Sequence, residues 1–185
     1  MDRAADYESV GRRFESSWAR QTIPLRLWIE KESDLYFMAR ALEEAKRGAE
    51  SGEVPVGAVL ISREGEEIGR AHNSPIQLTD PTAHAEMLAL RQGAGRVGNY
   101  RLPGATLYVT IEPCSMCTGA ILQARLSRLV FGARDPKAGA VVSLFQILGD
   151  QRVNHRVEVK EGVLEEECRL LIRSFFQKHR LGQER

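Results

Sequence analysis

Residues 105–117, Ala105-Thr106-Leu107-Tyr108-Val109-Thr110-Ile111-Glu112-Pro113-Cys114-Ser115-Met116-Cys117, decide the architecture. Ala105 to Ile111 is an apolar run of strand-forming residues. Cys114 to about Arg125 then has the character of a helix, and Leu129 to Phe131 returns as a second strand. A strand, a helix and a strand in such quick succession form a short crossover unit, which favours parallel pairing. The expected fold class is therefore α/β.

The flanking sequence fits around this unit. Upstream, Ser33 and Asp34 are placed to cap a helix in which Leu35, Met38, Leu42, Ala45 and Ala49 recur at helical spacing, and Gly52 closes it. Val56 to Ile61 is a short apolar strand, Ser62 to Gly65 supplies turn residues, and Glu67 to Ala71 returns as the other arm of a hairpin. His72-Asn73-Ser74-Pro75 leaves the sheet. Pro81 and Thr82 precede a second helix with Ala83, Met87, Leu90 and Ala94 on one face, fading at Gly93-Ala94-Gly95. Downstream, Val157 and Val159 suit a last strand, and Leu164, Cys168, Leu171 and Phe175 line one face of a C-terminal helix.

At 185 residues, 43% hydrophobic and 28% charged, the chain has the size and balance of one globular domain with its own core. Residues 1–32 mix Arg, Glu, Ser and Trp without sustained period and are read as an N-terminal extension, open to disorder, ahead of a domain at 33–185. No apolar run approaches the ~20 residues of a membrane helix, and no secretory signal pattern opens the chain, so a cytoplasmic location is expected. A net charge of +1 excludes global attraction to phosphate, so a nucleic-acid partner would need local contacts. Arg169, Arg173, Lys178 and Arg180 on the last helix are candidates for such contacts, or simply a solvated face.

Cys114 and Cys117 stand on the first turn of a helix, where exposed N–H groups and the helix dipole favour the thiolate that zinc requires. His84, also at a helix start, supplies a neutral third ligand. Three protein ligands leave one position for water, as in a catalytic rather than a structural zinc site. Glu86, two residues after His84, is suited to carry the proton released when that water attacks. Cys168 falls on an apolar helix face and reads as core. Taken singly, the C-x-x-C could be a redox pair or half of a structural site, and Glu86 a partner for the helix dipole. Together, H-x-E followed by P-C-x-x-C is the signature of zinc nucleobase deaminases.

From about Leu35 to about Phe176 the chain resembles the bacterial tRNA adenosine deaminases of the cytidine/deoxycytidylate deaminase superfamily. The resemblance is carried by Glu53-Val54-Pro55-Val56-Gly57-Ala58-Val59, Asp80-Pro81-Thr82-Ala83-His84-Ala85-Glu86, Leu107 to Cys114, Val130-Phe131-Gly132-Ala133-Arg134-Asp135-Pro136-Lys137 and Asn154-His155-Arg156-Val157-Glu158. The His-Ala-Glu segment is shared with guanine and cytosine deaminases; the Arg-Asp-x-Lys and Asn-His-Arg-Val segments discriminate better.

The resemblance implies a three-layer α/β/α sandwich with a mixed five-stranded sheet, a homodimer, one zinc ion per chain and a tRNA anticodon stem-loop as partner. Its wobble adenosine would be turned out into the zinc pocket and converted to inosine. It further implies that Asn73 binds the purine edge, that Val56 packs against the base, and that Asp135 and His155 lie close to the flipped nucleotide and its neighbours. Asn73 and Asp135 equally suit turns, and Val56 suits a plain strand. The competing functions are deamination of free guanine, cytosine or a nucleoside, and a non-catalytic zinc domain that binds RNA or protein.

Overall fold

The computed structural model describes residues 25–183. Five strands, β1 (Gly57–Ile61), β2 (Glu67–His72), β3 (Thr106–Ile111), β4 (Arg128–Ala133) and β5 (Glu158–Glu161), make one sheet in the order β2-β1-β3-β4-β5. β1 runs antiparallel to β2 and β3, whereas β3, β4 and β5 are mutually parallel. The crossover read from residues 105–131 is thus present in a mixed sheet. The helices are α1 (Leu25–Glu50), α2 (Pro75–Leu78), α3 (Ala85–Val97), α4 (Ser115–Gln123) and α5 (Glu165–Gln183), with a 3-10 turn at Ile147–Gly149.

Side chains alternate across a strand, so the central strands feed two cores. Ala58, Leu60, Leu107, Val109, Leu129 and Phe131 point to one face, against Ala85, Ala89 and Leu90 of α3 and Ile121 of α4. Val59, Ile61, Tyr108 and Val130 point to the other, against Met38, Ala41 and Leu42 of α1 and Cys168 of α5. Apolar residues on both faces explain why these strands read as continuous hydrophobic runs. The expected α/β/α layering follows.

Close approach is built from small residues. A Cβ on Gly57 would lie 2.0 Å from the Ala41 carbonyl oxygen, and one on Gly69 2.3 Å from that of Ala89. This changes the expected face of α3. The residues it buries are Ala85, Glu86, Ala89, Leu90 and Gly93, while Met87 and Ala94 are half-buried and Ala83 precedes the helix. Bulk misled the sequence reading, because the tightest helix–sheet contact here uses alanine and glycine.

The capping role expected of Ser33 and Asp34 is also corrected, since α1 starts at Leu25 and runs through both. Asp34 instead accepts hydrogen bonds from Arg128 (2.6 and 3.0 Å), Lys160 (2.6 Å) and Tyr108 (2.9 Å). It joins α1 to β3, β4 and β5. The extension expected at residues 1–32 lies, through residue 24, outside the described residues. No helix among the described residues is long and apolar enough to cross a membrane.

Candidate metal centre

Two helix starts converge beside the end of β3. His84 is the N-cap of α3 and Cys114 the N-cap of α4, both with extended backbone, and neither side chain caps its own helix. Their donor atoms are therefore free to face each other. His84 Nδ1 lies 3.7 Å from Cys114 Sγ and 3.6 Å from Cys117 Sγ, and all three donors fall within 4.8 Å of one another. A tetrahedral zinc with Zn–S near 2.3 Å and Zn–N near 2.0–2.1 Å has S···N edges of about 3.6 Å. The donor types and their spacing fit zinc.

No fourth His, Cys, Asp or Glu joins this cluster among the described residues. Cys168, the remaining cysteine, is buried in the core on the opposite face of the sheet, where a Cβ on Gly132 would lie 2.4 Å from its sulfur. The structure thus keeps it away from the donors.

The electrostatics of the cluster follow from proximity. The neighbouring Cys117 thiol, reinforced by His84, outweighs burial and holds the Cys114 thiol well below the ordinary thiol range. The same contact, with burial and the nearby Glu86 carboxylate, holds Cys117 above the ordinary thiol range. Cys114 and the charge of Glu86 raise the His84 imidazole against its burial. Glu86 sits on the first turn of α3 at 3% exposure. Burial is the largest influence on it and pushes its carboxyl above the usual carboxylate range, opposed by its own backbone N–H, His84 and the Cys117 thiol. A buried carboxyl beside the three donors is placed to exchange a proton with a group held there.

Of the other expected residues, Asn73 is tied to a helix of this centre by a hydrogen bond. Asn73 is buried, and its Oδ1 accepts the backbone N–H of Ala85 at 2.9 Å. Val56 is buried in the core shared with α3 and α4, its carbonyl accepting the Asn73 N–H at 3.0 Å. Asp135 folds as a turn, with Oδ1 accepting the N–H groups of Lys137 (2.9 Å) and Ala138 (3.2 Å). His155 Nε2 donates to the Leu126 carbonyl at 2.6 Å. That carbonyl lies past the C-terminal end of α4, a helix about 14 Å long, so His155 is anchored at the opposite end from the cysteines. On α5, Arg169 is paired with Glu165 and Glu166.

Two acidic residues escaped the sequence reading. Glu53 Oε1 accepts the N–H groups of Ile76 and Gln77, both at 2.9 Å, and so fixes α2 just after Asn73. Glu112, at the end of β3, gathers the N–H groups of a loop that returns to Cys114. A charged residue closing an otherwise apolar buried strand was the available signal.

Comparison with known proteins adds to the geometry. Residues 31–133 match the model of the cytidine and deoxycytidylate deaminase zinc-binding region. The chain is similar to the tRNA-specific adenosine deaminase of Haemophilus influenzae, 51% identical over 152 residues, covering 82% of this chain and 88% of the relative. Similarity to the Bacillus subtilis protein of the same name is 48% over 147 residues, covering 80% and 91%. A solved chain from studies of A-to-I editing by tRNA:A34 deaminases at the wobble position superposes with TM-score 0.71 at 45% identity, covering 74% of this chain and 98% of that one.

Proposed function

The chain belongs to the cytidine and deoxycytidylate deaminase family, and from that premise we propose that it converts the wobble adenosine of a tRNA anticodon to inosine, releasing ammonia. The observation that carries the reading is a buried carboxyl, Glu86, set beside a three-donor zinc site in a chain whose curated relatives at 44–51% identity are tRNA-specific adenosine deaminases.

His84, Cys114 and Cys117 would hold the zinc, which when bound supplies an activated water for attack on C6 of adenine. Glu86 would take a proton from that water and deliver it to N1 of the ring, then take the proton of the new C6 hydroxyl and pass it to the amine as the C6–N bond breaks and the carbonyl forms. The α3 start that bears Glu86 is fixed by Asn73, whose amide nitrogen is then the group to meet the purine edge. Val56 supports the base from the core side. Asp135 contributes from its loop, and His155, tethered beyond α4, serves a nucleotide flanking the flipped one.

The partner in this reading is the anticodon stem-loop, where an unstacked base enters a buried pocket without opening a duplex. Homodimer assembly and a cytoplasmic location belong to the same proposal, on the strength of the family resemblance. The test presents a wobble-adenosine stem-loop, adenosine, cytidine, cytosine and guanine at equal concentration, follows ammonia, and sequences the RNA for inosine. Fast release from the stem-loop with inosine at the wobble position is expected. Faster release from guanine or cytosine would overturn the tRNA assignment.

A further inference from the structure

Glu112 is 1% exposed at the C-terminal end of β3, and its carboxylate is enclosed by one loop. Oε1 accepts the N–H groups of Val141 (3.0 Å), Val142 (2.8 Å) and Ser143 (2.9 Å). Oε2 accepts the N–H of Asp135 (3.1 Å) and the hydroxyl of Ser143. The outgoing and returning arms of residues 135–143 are thus pinned at a single side chain. Backbone contacts continue from the same point: the Ala140 N–H donates to the Pro113 carbonyl at 2.8 Å, and Cys114 and Gly139 form an isolated antiparallel bridge.

The enclosure leaves no room for a side chain at position 139. A Cβ there would lie 2.4 Å from the Glu112 carboxylate and 2.5 Å from the Asp135 carbonyl oxygen. Acceptors alone face the loop N–H groups, and a carboxylate offers two oxygens, one for each arm. Its amide counterpart keeps one acceptor and turns the other into a donor.

We propose that Glu112 is a positioning residue that registers the Asp135 loop against the Cys114 end of the metal centre. The inference rests on the deaminase reading above, because it takes Asp135 to the substrate side of the reaction. A loop that needed only anchorage could be fastened to any part of the core. This one is fastened two residues before Cys114, so the place of Asp135 relative to the zinc donors is set by one carboxylate.

The test uses the full chain loaded with zinc and two variants that perturb the enclosure from opposite sides. Glu112→Gln preserves size and one acceptor but removes the acceptor of the Asp135 N–H. Gly139→Ala leaves Glu112 intact and wedges the loop away. Expected in both are zinc content near one per chain, Asp135 amide exchange faster by about tenfold or more, and KM for the stem-loop raised about tenfold with kcat within about threefold. Unchanged exchange at Asp135 and Val141–Ser143 overturns the proposal. So does a lowered Tm with KM unmoved, which would make Glu112 structural only, or loss of zinc that accounts for the lost activity. Should Glu112→Gln not fold, Gly139→Ala carries the same measurements. If the unaltered chain holds zinc but leaves the stem-loop untouched, the deaminase reading fails, and amide exchange still decides whether Glu112 holds the loop.

Discussion

Asn73 Oδ1 accepts the N–H of Ala85, the first residue of α3, at 2.9 Å. His84 occupies the N-cap position but makes no side-chain cap bond, and a residue from the β2–α2 connection satisfies one of the free N–H groups at this helix start. The exchange has a chemical use. An imidazole relieved of capping can turn its Nδ1 to the two sulfurs, while the helix that bears Glu86 still begins at a fixed place.

Two substitutions separate this cap from the purine contact proposed for the same side chain. Asn73→Ala removes both, and is expected to lower stability by about 1 kcal/mol and to abolish most turnover. Asn73→Asp keeps the acceptor for Ala85 but replaces the amide donors by a second oxygen. It should melt close to the unaltered protein and remain poorly active. Equal activity of Asn73→Asp and the unaltered chain would leave the cap as the residue's whole role.

The zinc set predicts metal stoichiometry. His84→Ala, Cys114→Ala and Cys117→Ala should each lower zinc content, and replacing both cysteines should empty the site, because a single imidazole does not hold the ion at ordinary concentrations. Metal analysis of the purified variants decides it. Cys168→Ala is the matched control, since its sulfur belongs to the core on the far face of the sheet; its zinc content should equal that of the unaltered chain.

Glu86 gives a prediction of the opposite kind. It carries protons without binding metal, so Glu86→Ala and Glu86→Gln should retain zinc and fold yet lose about 10²–10⁴-fold in single-turnover rate. Near-normal rates in both variants would assign the proton transfer to another group.

How far the sequence could be read depended on whether a residue's neighbours were close along the chain. Strands with apolar residues on both faces, and a C-x-x-C directly after one of them, depend on local pattern, and residues 105–131 yielded their strand, helix and parallel partner. The convergence of His84 with Cys114 and Cys117 was legible because each stands at a helix start, where chemistry and chain direction coincide. Glu112 and Asp34 were not legible. Their partners lie 23 to 31 and 74 to 126 residues away in sequence, and Asp34 preceding an apolar helical pattern has the local appearance of a cap. The buried face of α3 was lost for another reason, since a hydrophobic pattern weights large side chains while this contact depends on the absence of side-chain bulk.

Asp34 provides the last prediction, on acid stability. Its carboxylate is 1% exposed and faces Arg128, Lys160 and the Tyr108 hydroxyl, with Glu158 pairing the far side of Arg128 at 2.9 Å. Burial alone would raise its pKa, but the hydrogen bonds from Arg128, Lys160 and Tyr108 outweigh burial and hold it below the ordinary aspartate value. The folded state therefore binds the Asp34 proton more weakly than the unfolded chain does. Its contribution is complete above the unfolded value of about 3.9 and is lost as pH falls through the lower folded one. Asp34→Asn keeps the shape but leaves Arg128 and Lys160 short of a counter-charge. Both cations reach solvent, and Arg128 keeps Glu158, so the expected cost near neutral pH is about 1–3 kcal/mol rather than that of a fully buried broken pair. Urea midpoints of the two proteins should differ by a constant amount from about pH 7 to about pH 5 and approach each other below about pH 4. A gap that persists unchanged through the acid range would mean that Asp34 acts through packing and hydrogen-bond shape, with no contribution from its charge.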